Sequence, residues 1–125
     1  MGALTRTPHG LFPQYHSSAD DLSLVTAEAL GASFRSALEI IDAVESNARY
    51  RNLSPFGEPQ LGRRGLYQSV PDGTRPEQAL LWMLSLSDGS PDLLEVAERS
   101  GLTFGAIRDA ARTLEEHGLL ERLED

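Results

Sequence analysis

The chain has no cysteine, which excludes disulfides and thiolate metal sites and leaves carboxylates and three histidines, His9, His16 and His117, as donors for any metal. It has no apolar run near the roughly 18 residues a membrane span needs, and its N-terminus shows neither a basic leader nor the apolar core of an export signal. These absences lead to the expectation of a soluble, cytoplasmic protein with no membrane partner. Lysine is missing too: all 11 basic residues are arginine, which with abundant Ala, Gly and Leu reads as GC-rich coding bias rather than a functional choice. There is no internal repeat and no low-complexity segment. What is present is 125 residues with 40% hydrophobic content, enough for one ordinary domain or two small ones. The net charge of −8 is uneven: residues 1–75 carry seven Arg against eight acids, residues 76–125 four Arg against eleven.

Residues 1–25 read as loop, because Pro8, Gly10 and Pro13 break any period and Ser17 to Asp21 is turn-forming. From Thr26, a cap with Glu28 in the first turn, Leu30, Phe34, Ala37, Leu38, Ile41, Val44 and Ala48 recur at helical spacing, predicting one amphipathic helix ending near Arg49. Its apolar stripe requires a partner surface that residues 1–25 are too polar to provide. Seven Gly and Pro residues mark 53–75 as a connector, and the domain boundary is placed there.

Beyond it, Thr74-Arg75-Pro76-Glu77 fits a capping box, and Ala79, Leu80, Met83 and Leu84 form the buried face of a helix that stops before Asp88-Gly89. A second helix is predicted from Ser90-Pro91 to Ser100, with Leu94, Val96 and Ala97 inside and Gly101 as the left-handed turn residue. Thr103 caps a third, burying Ile107, Ala110, Ala111 and Leu114 and ending at Gly118, before a strand candidate at Leu119–Leu123.

Ala97, Gly101 and Ile107 stand at the spacing of a helix-turn-helix: a small residue at the helix crossing, a glycine in the turn, a branched residue anchoring the second helix. The terminal Gly118-Leu119-Leu120 resembles the helix-to-strand passage of winged-helix domains, without room for a two-stranded wing. Such a motif would present Thr103, Phe104, Gly105, Arg108 and Arg112 to a DNA groove. Charge argues against nucleic acid, because residues 76–125 are strongly acidic and Asp109, Glu115 and Glu116 lie among the two arginines. A packing or protein-interaction role is favoured, with DNA-binding regulation the alternative. Arg108 and Arg112 read most simply as solvated charge paired with Asp109 and Glu116.

On spacing alone, His16 is one histidine in a polar loop, and His117 is a helix-end residue compatible with the dipole. The run Tyr15-His16-Ser17-Ser18-Ala19-Asp20-Asp21-Leu22 before a long helix, however, resembles the last metal-binding loop of di-zinc aminopeptidases. Residues 52–67, from Asn52-Leu53-Ser54-Pro55-Phe56 to Arg63-Arg64-Gly65-Leu66-Tyr67, and Ala79 to Gly89 look like the C-terminal third of bacterial polysaccharide-biosynthesis proteins with an aminopeptidase-like domain and a terminal winged helix.

The resemblance covers nearly the whole chain. It implies a mainly α chain: the final loop and helix of an α/β zinc-aminopeptidase domain over 1–52, the connector 53–75, and a winged-helix-like helix-turn-helix over 76–125. It also implies that His16 is a zinc ligand, with Asp20 and Asp21 orienting or capping its loop. The family's other ligands and its general base have no counterpart here, so zinc would bind only with ligands this chain lacks, and the chain alone would not be catalytic. The implied partner is an aminopeptidase-like core domain, engaged through Leu30, Phe34, Leu38 and Ile41, or a second copy. In the connector, Glu58, Arg63 and Arg64 could clamp an anion; tying the linker to its neighbours is the favoured role.

Overall fold

Thr26 starts the first helix as the sequence predicts: its Oγ1 accepts the Ala29 N–H at 3.1 Å, and α1 runs Ala27–Ser46. The computed structural model describes residues 4–66 and 76–124, and it divides into two compact units, one up to Asp42 and one from Ala43 onward. Helix α1 continues across that division to Ser46. In the first unit, residues 4–26 are a chain of tight turns, with Leu11, Tyr15, Ser17, Asp20 and Leu24 each donating an N–H to the carbonyl three residues back. No α1 residue is buried, and its apolar positions stay open: Phe34 is 64% exposed and Val44 69%.

The second unit holds β1 (Arg49–Asn52), a single 3-10 turn (Leu61–Arg64), α2 (Pro76–Leu86), β2 (Asp88–Asp92), α3 (Leu93–Ser100), α4 (Phe104–Glu116) and β3 (Leu120–Arg122). Its sheet has the order β2-β1-β3, antiparallel throughout, with Tyr50 opposite Arg122 and Asn52 opposite Leu120. Tyr50 alone of β1 points into the core, where it joins Leu61, Leu66, Met83, Leu93, Val96, Ile107, Leu114 and Leu119.

Asn52 locks the strand to its surroundings. Its N–H reaches Ser87 O at 2.6 Å, its amide donates to Leu84 O at 2.7 Å, and its Oδ1 accepts Ser54 N–H at 2.7 Å. The module expected over 76–125 therefore draws in residues upstream: β1 supplies the central strand and Leu61 and Leu66 of the connector supply core.

Helix α1 stops at Ser46 rather than near Arg49, because the chain turns there into β1. The second helix of the motif starts at Leu93, not at Ser90-Pro91, which lie in β2. Proline lacks an N–H for a ladder, and β2 tolerates it as an edge strand whose pairing with β1 is irregular. Asp92 then caps α3 in a reciprocal box: it accepts Glu95 N–H at 2.9 Å while Glu95 Oε2 accepts Asp92 N–H at 3.1 Å. That start puts Leu93, Val96 and Ala97 inside and leaves Leu94, expected inside, 38% exposed.

The remaining cap and turn signals stand as read, while Leu84, expected on the buried face of α2, is half-buried. Gly101 closes α3 with φ +69°, and Thr103 caps α4 by accepting Ala106 N–H at 3.3 Å. Ile107, Ala110, Ala111 and Leu114 are buried, and the terminal strand forms at Leu120–Arg122, paired with β1 instead of a second wing strand. The capping residues Thr74 and Arg75 lie outside the described residues. No helix among the described residues is long and apolar enough to cross a membrane.

Candidate functional site

His16 sits at the third position of a turn closed by Ser17 N–H to Gln14 O at 3.1 Å, reinforced by Ser17 Oγ donating to the same carbonyl at 2.8 Å. Its φ of +55° lies in the left-handed region. The imidazole is exposed and rests against Tyr15, ring centroids 4.2 Å apart. Tyr15 is half-buried and meets two more rings: His9 stacks on it at 5.5 Å with planes 12° apart, and Phe12 meets it edge-on at 5.6 Å. These four rings come from one Pro- and Gly-broken segment, and sequence reading singled out only His16 among them for chemistry. His9, Phe12 and Tyr15 carried a signal in their three-residue spacing.

Asp20 and Asp21, expected to steady this loop, take different positions. Asp21 accepts the Ser23 hydroxyl at 2.7 Å and the Ser23 N–H at 2.8 Å, and these bonds hold its carboxyl below the usual 3.8. Asp21 is thus committed to the turn leading into α1. Asp20 lines a cleft of about 440 Å³ together with Arg6, His9, Phe12, Leu24 and Leu30. Arg6 is fixed there by a 2.8 Å bond from Nη1 to Ala29 O.

A zinc ion needs three or four donors. Among the described residues no group of three or more His, Asp or Glu comes close enough to hold a metal. His16 presents an exposed ring on its closed turn, and the described residues do not by themselves fit a zinc site.

In the second unit, Arg63 and Arg64 are exposed at the end of the 3-10 turn, and Arg64 Nη1 donates to His117 O at 3.4 Å. Glu58 is exposed in the loop before them. His117 follows α4 and donates from Nδ1 to Thr113 O at 2.8 Å. On the second helix of the motif, the Thr103 hydroxyl is used in capping, and Arg108 pairs through Nε with Asp109 Oδ1 at 3.1 Å. Arg112 is exposed.

Three helices, the αL glycine between α3 and α4, and a small antiparallel sheet agree with one sequence match: residues 48–122 match the winged helix-turn-helix family. The chain belongs to the winged helix-turn-helix family. Residues 1–47 match a separate domain of unknown function, DUF4910. The match with the winged helix-turn-helix begins at Ala48, so β1 is part of it. Drawn over 48–122, the winged unit carries nine Arg against eleven acids, a net −2 that is much less acidic than residues 76–125 alone.

Across both units the chain is 40% identical over 124 residues to a Clostridium acetobutylicum protein described as a candidate polysaccharide biosynthesis protein with an aminopeptidase-like domain. That match covers 97% of this chain and 28% of the relative. A crystal structure of a candidate peptidase from Clostridium acetobutylicum superposes with a TM-score of 0.76 and 38% identity, over 90% of this chain and 24% of that one. The chain thus spans about a quarter of the length of the proteins it matches, and it corresponds to their C-terminal region with its winged helix-turn-helix.

Proposed function

We propose that this chain is the C-terminal portion or subunit of a zinc-dependent aminopeptidase-like protein, and that it is not catalytic alone. The observation that carries this reading is α1: a 20-residue helix with no buried residue, in a chain whose relative is several times longer. Leu30, Phe34, Leu38, Ile40 and Ile41 span an arc of roughly 160° at 3.6 residues per turn, wider than the narrow seam of a coiled-coil pair. An arc of that width suits a broad surface such as a sheet, and the aminopeptidase-like core domain of the relative is the partner that fits.

In this reading His16 offers one imidazole to zinc, and Asp21 holds the turn that leads from it into α1. Bound zinc supplies Lewis-acid activation of water and of a scissile carbonyl. Arg64 fastens the connector to the end of α4, and the winged unit serves packing or protein interaction rather than groove reading. A cytoplasmic location accompanies this reading.

The coding DNA upstream of the Met1 codon tests it. An aminopeptidase-like segment, in frame or as a neighbouring gene, is the expected result, and zinc measured in the joined or co-purified protein should fall when His16 is replaced by Ala. Absence of such a segment would remove the reading.

A further inference from the structure

The cleft between the N-terminal turns and the first half of α1 has a volume of about 440 Å³, within the roughly 300–1,000 Å³ of small-molecule sites. Two opposite charges line it. Arg6 is held by its bond from Nη1 to the Ala29 carbonyl, and its other N–H groups have no acceptor among the described residues. The Asp20 carboxylate accepts no hydrogen bond, and neither residue enters an ion pair, among the described residues. Guanidinium and carboxylate therefore stand apart in one cleft, each able to take a partner of opposite sign.

The remaining wall is largely apolar and aromatic: Leu24 and Leu30 line it, and so does Phe12, half-buried with its ring edge-on to Tyr15. One charge of each sign favours a zwitterion over a net anion or cation. The acceptors then choose between zwitterions. A primary ammonium brings three N–H donors that need acceptors, and the Ser33 hydroxyl in this cleft is already donated to the Ala29 carbonyl that Arg6 also uses. A fully methylated ammonium brings no donor, and it gains from a carboxylate, an aromatic ring and apolar contact for its methyl groups. We propose that this cleft binds a small betaine-type zwitterion, with its carboxylate on Arg6, its quaternary ammonium beside Asp20 and Phe12, and its methyl groups against Leu24 and Leu30. This binding needs no metal and no second polypeptide, so it stands or falls apart from the aminopeptidase reading.

Titration of the 125-residue chain with glycine betaine, followed by NMR, tests this. Amide signals of Arg6, Asp20, Leu24 and Leu30 should shift and saturate with a roughly millimolar Kd, as suits so small a ligand, while those of the winged unit stay in place. Three analogues separate the contributions. Dimethylbutanoate with a tert-butyl group in place of the trimethylammonium keeps the shape and loses the positive charge; glycine keeps both charges and regains three N–H donors; tetramethylammonium lacks the carboxylate. Each should bind about tenfold or more weakly than glycine betaine. Arg6→Gln should weaken glycine betaine by a similar factor without changing tetramethylammonium. Asp20→Asn should weaken both, and Phe12→Leu should weaken both by about three- to thirtyfold.

The analogue series is read on the parent chain, so it does not depend on how any variant folds. Absence of a saturable shift with glycine betaine overturns the proposal. So does a tert-butyl analogue that binds as tightly, which would make the cleft a plain apolar pocket. Glycine binding as tightly overturns the methylated class, and a variant that keeps the parent spectrum and the parent affinity overturns the role given to its residue.

Discussion

Asn47 grips the start of α3 with both ends of its side-chain amide: Nδ2 donates to Asp92 Oδ2 at 2.9 Å, and Oδ1 accepts the Leu94 N–H at 3.2 Å. The neighbouring Ala48 carbonyl accepts Leu93 N–H at 3.1 Å. Asn47 and Ala48 together therefore satisfy the Leu94 and Leu93 N–H groups that the first turn of α3 cannot satisfy internally, and they set where β1 begins relative to the helix-turn-helix.

Replacing Asn47 by Ala removes both side-chain bonds and leaves the Asp92 carboxylate as the acceptor for the Leu94 N–H. A loss of about 1–2 kcal/mol follows from two hydrogen bonds of ordinary net worth. For a unit of this size that corresponds to a fall of roughly 5–15 °C in melting temperature. Thermal unfolding followed by circular dichroism measures it; a change within error would show that the amide is replaced by water at no cost.

Asp92 makes that junction sensitive to acid. Partial burial pushes its carboxyl up, but bonds from the Glu95 N–H, the Asn47 amide and the Leu94 N–H outweigh this and hold it below the usual 3.8. Because the unfolded chain binds this proton more readily than the folded one, the stabilisation is complete above the ordinary carboxylate range. It is lost as pH falls below about 4 through the lowered folded value. Urea unfolding of Asp92→Asn against the parent across pH 3 to 7 should show a deficit at pH 7 that narrows toward pH 3, because asparagine keeps the cap acceptor and loses only the charge. A deficit independent of pH would contradict the assignment.

The helices were legible in the sequence through apolar positions at three- and four-residue spacing, and Thr26 and Thr103 mark the starts of α1 and α4. The strands β1 and β2 were not. Arg49-Tyr50-Arg51-Asn52 has one apolar residue, so its alternation gives no signal, and Asp88-Gly89-Ser90-Pro91-Asp92 has the composition of a turn. Both form because tertiary partners call for them: Tyr50 fills the core, and Asn52 bonds to Leu84 and Ser87. The missed strand moved the charge balance as well, since Arg49, Arg51, Arg63 and Arg64 fall within the winged unit. His16 stood out only through family resemblance; its ring contacts depend on a turn whose left-handed residue no propensity would place at histidine.

Two adjacent leucines separate the sequence reading of α3 from the structural one. Leu93 is 1% exposed and Leu94 38%, although the apolar pattern alone fits either. Leu93→Ala should cost about 2–5 kcal/mol, the range for a buried leucine, whereas Leu94→Ala should stay within about 0.5–1 kcal/mol. Chemical denaturation of the two variants decides it, and equal costs would mean that α3 starts a residue away from Asp92.

The remaining question is whether the winged unit reads DNA, and its charge distribution answers in terms of salt. Of the second-helix arginines, Arg108 is paired with Asp109 and its side chain is 20% exposed, which leaves Arg112 as the better-placed cation for a phosphate. The net −2 over 48–122 supplies no positive field to gather counterion-condensed duplex. Fluorescence anisotropy of a labelled random-sequence duplex should therefore show no saturable binding even at low ionic strength. A DNA-binding role would instead give affinity that falls with salt, with a log-log slope of about −2 if Arg108 and Arg112 both met phosphates, and Arg112→Ala would reduce that slope by about one. Observing that pair of results would restore groove recognition as the function of α4 and detach the winged unit from a purely packing role.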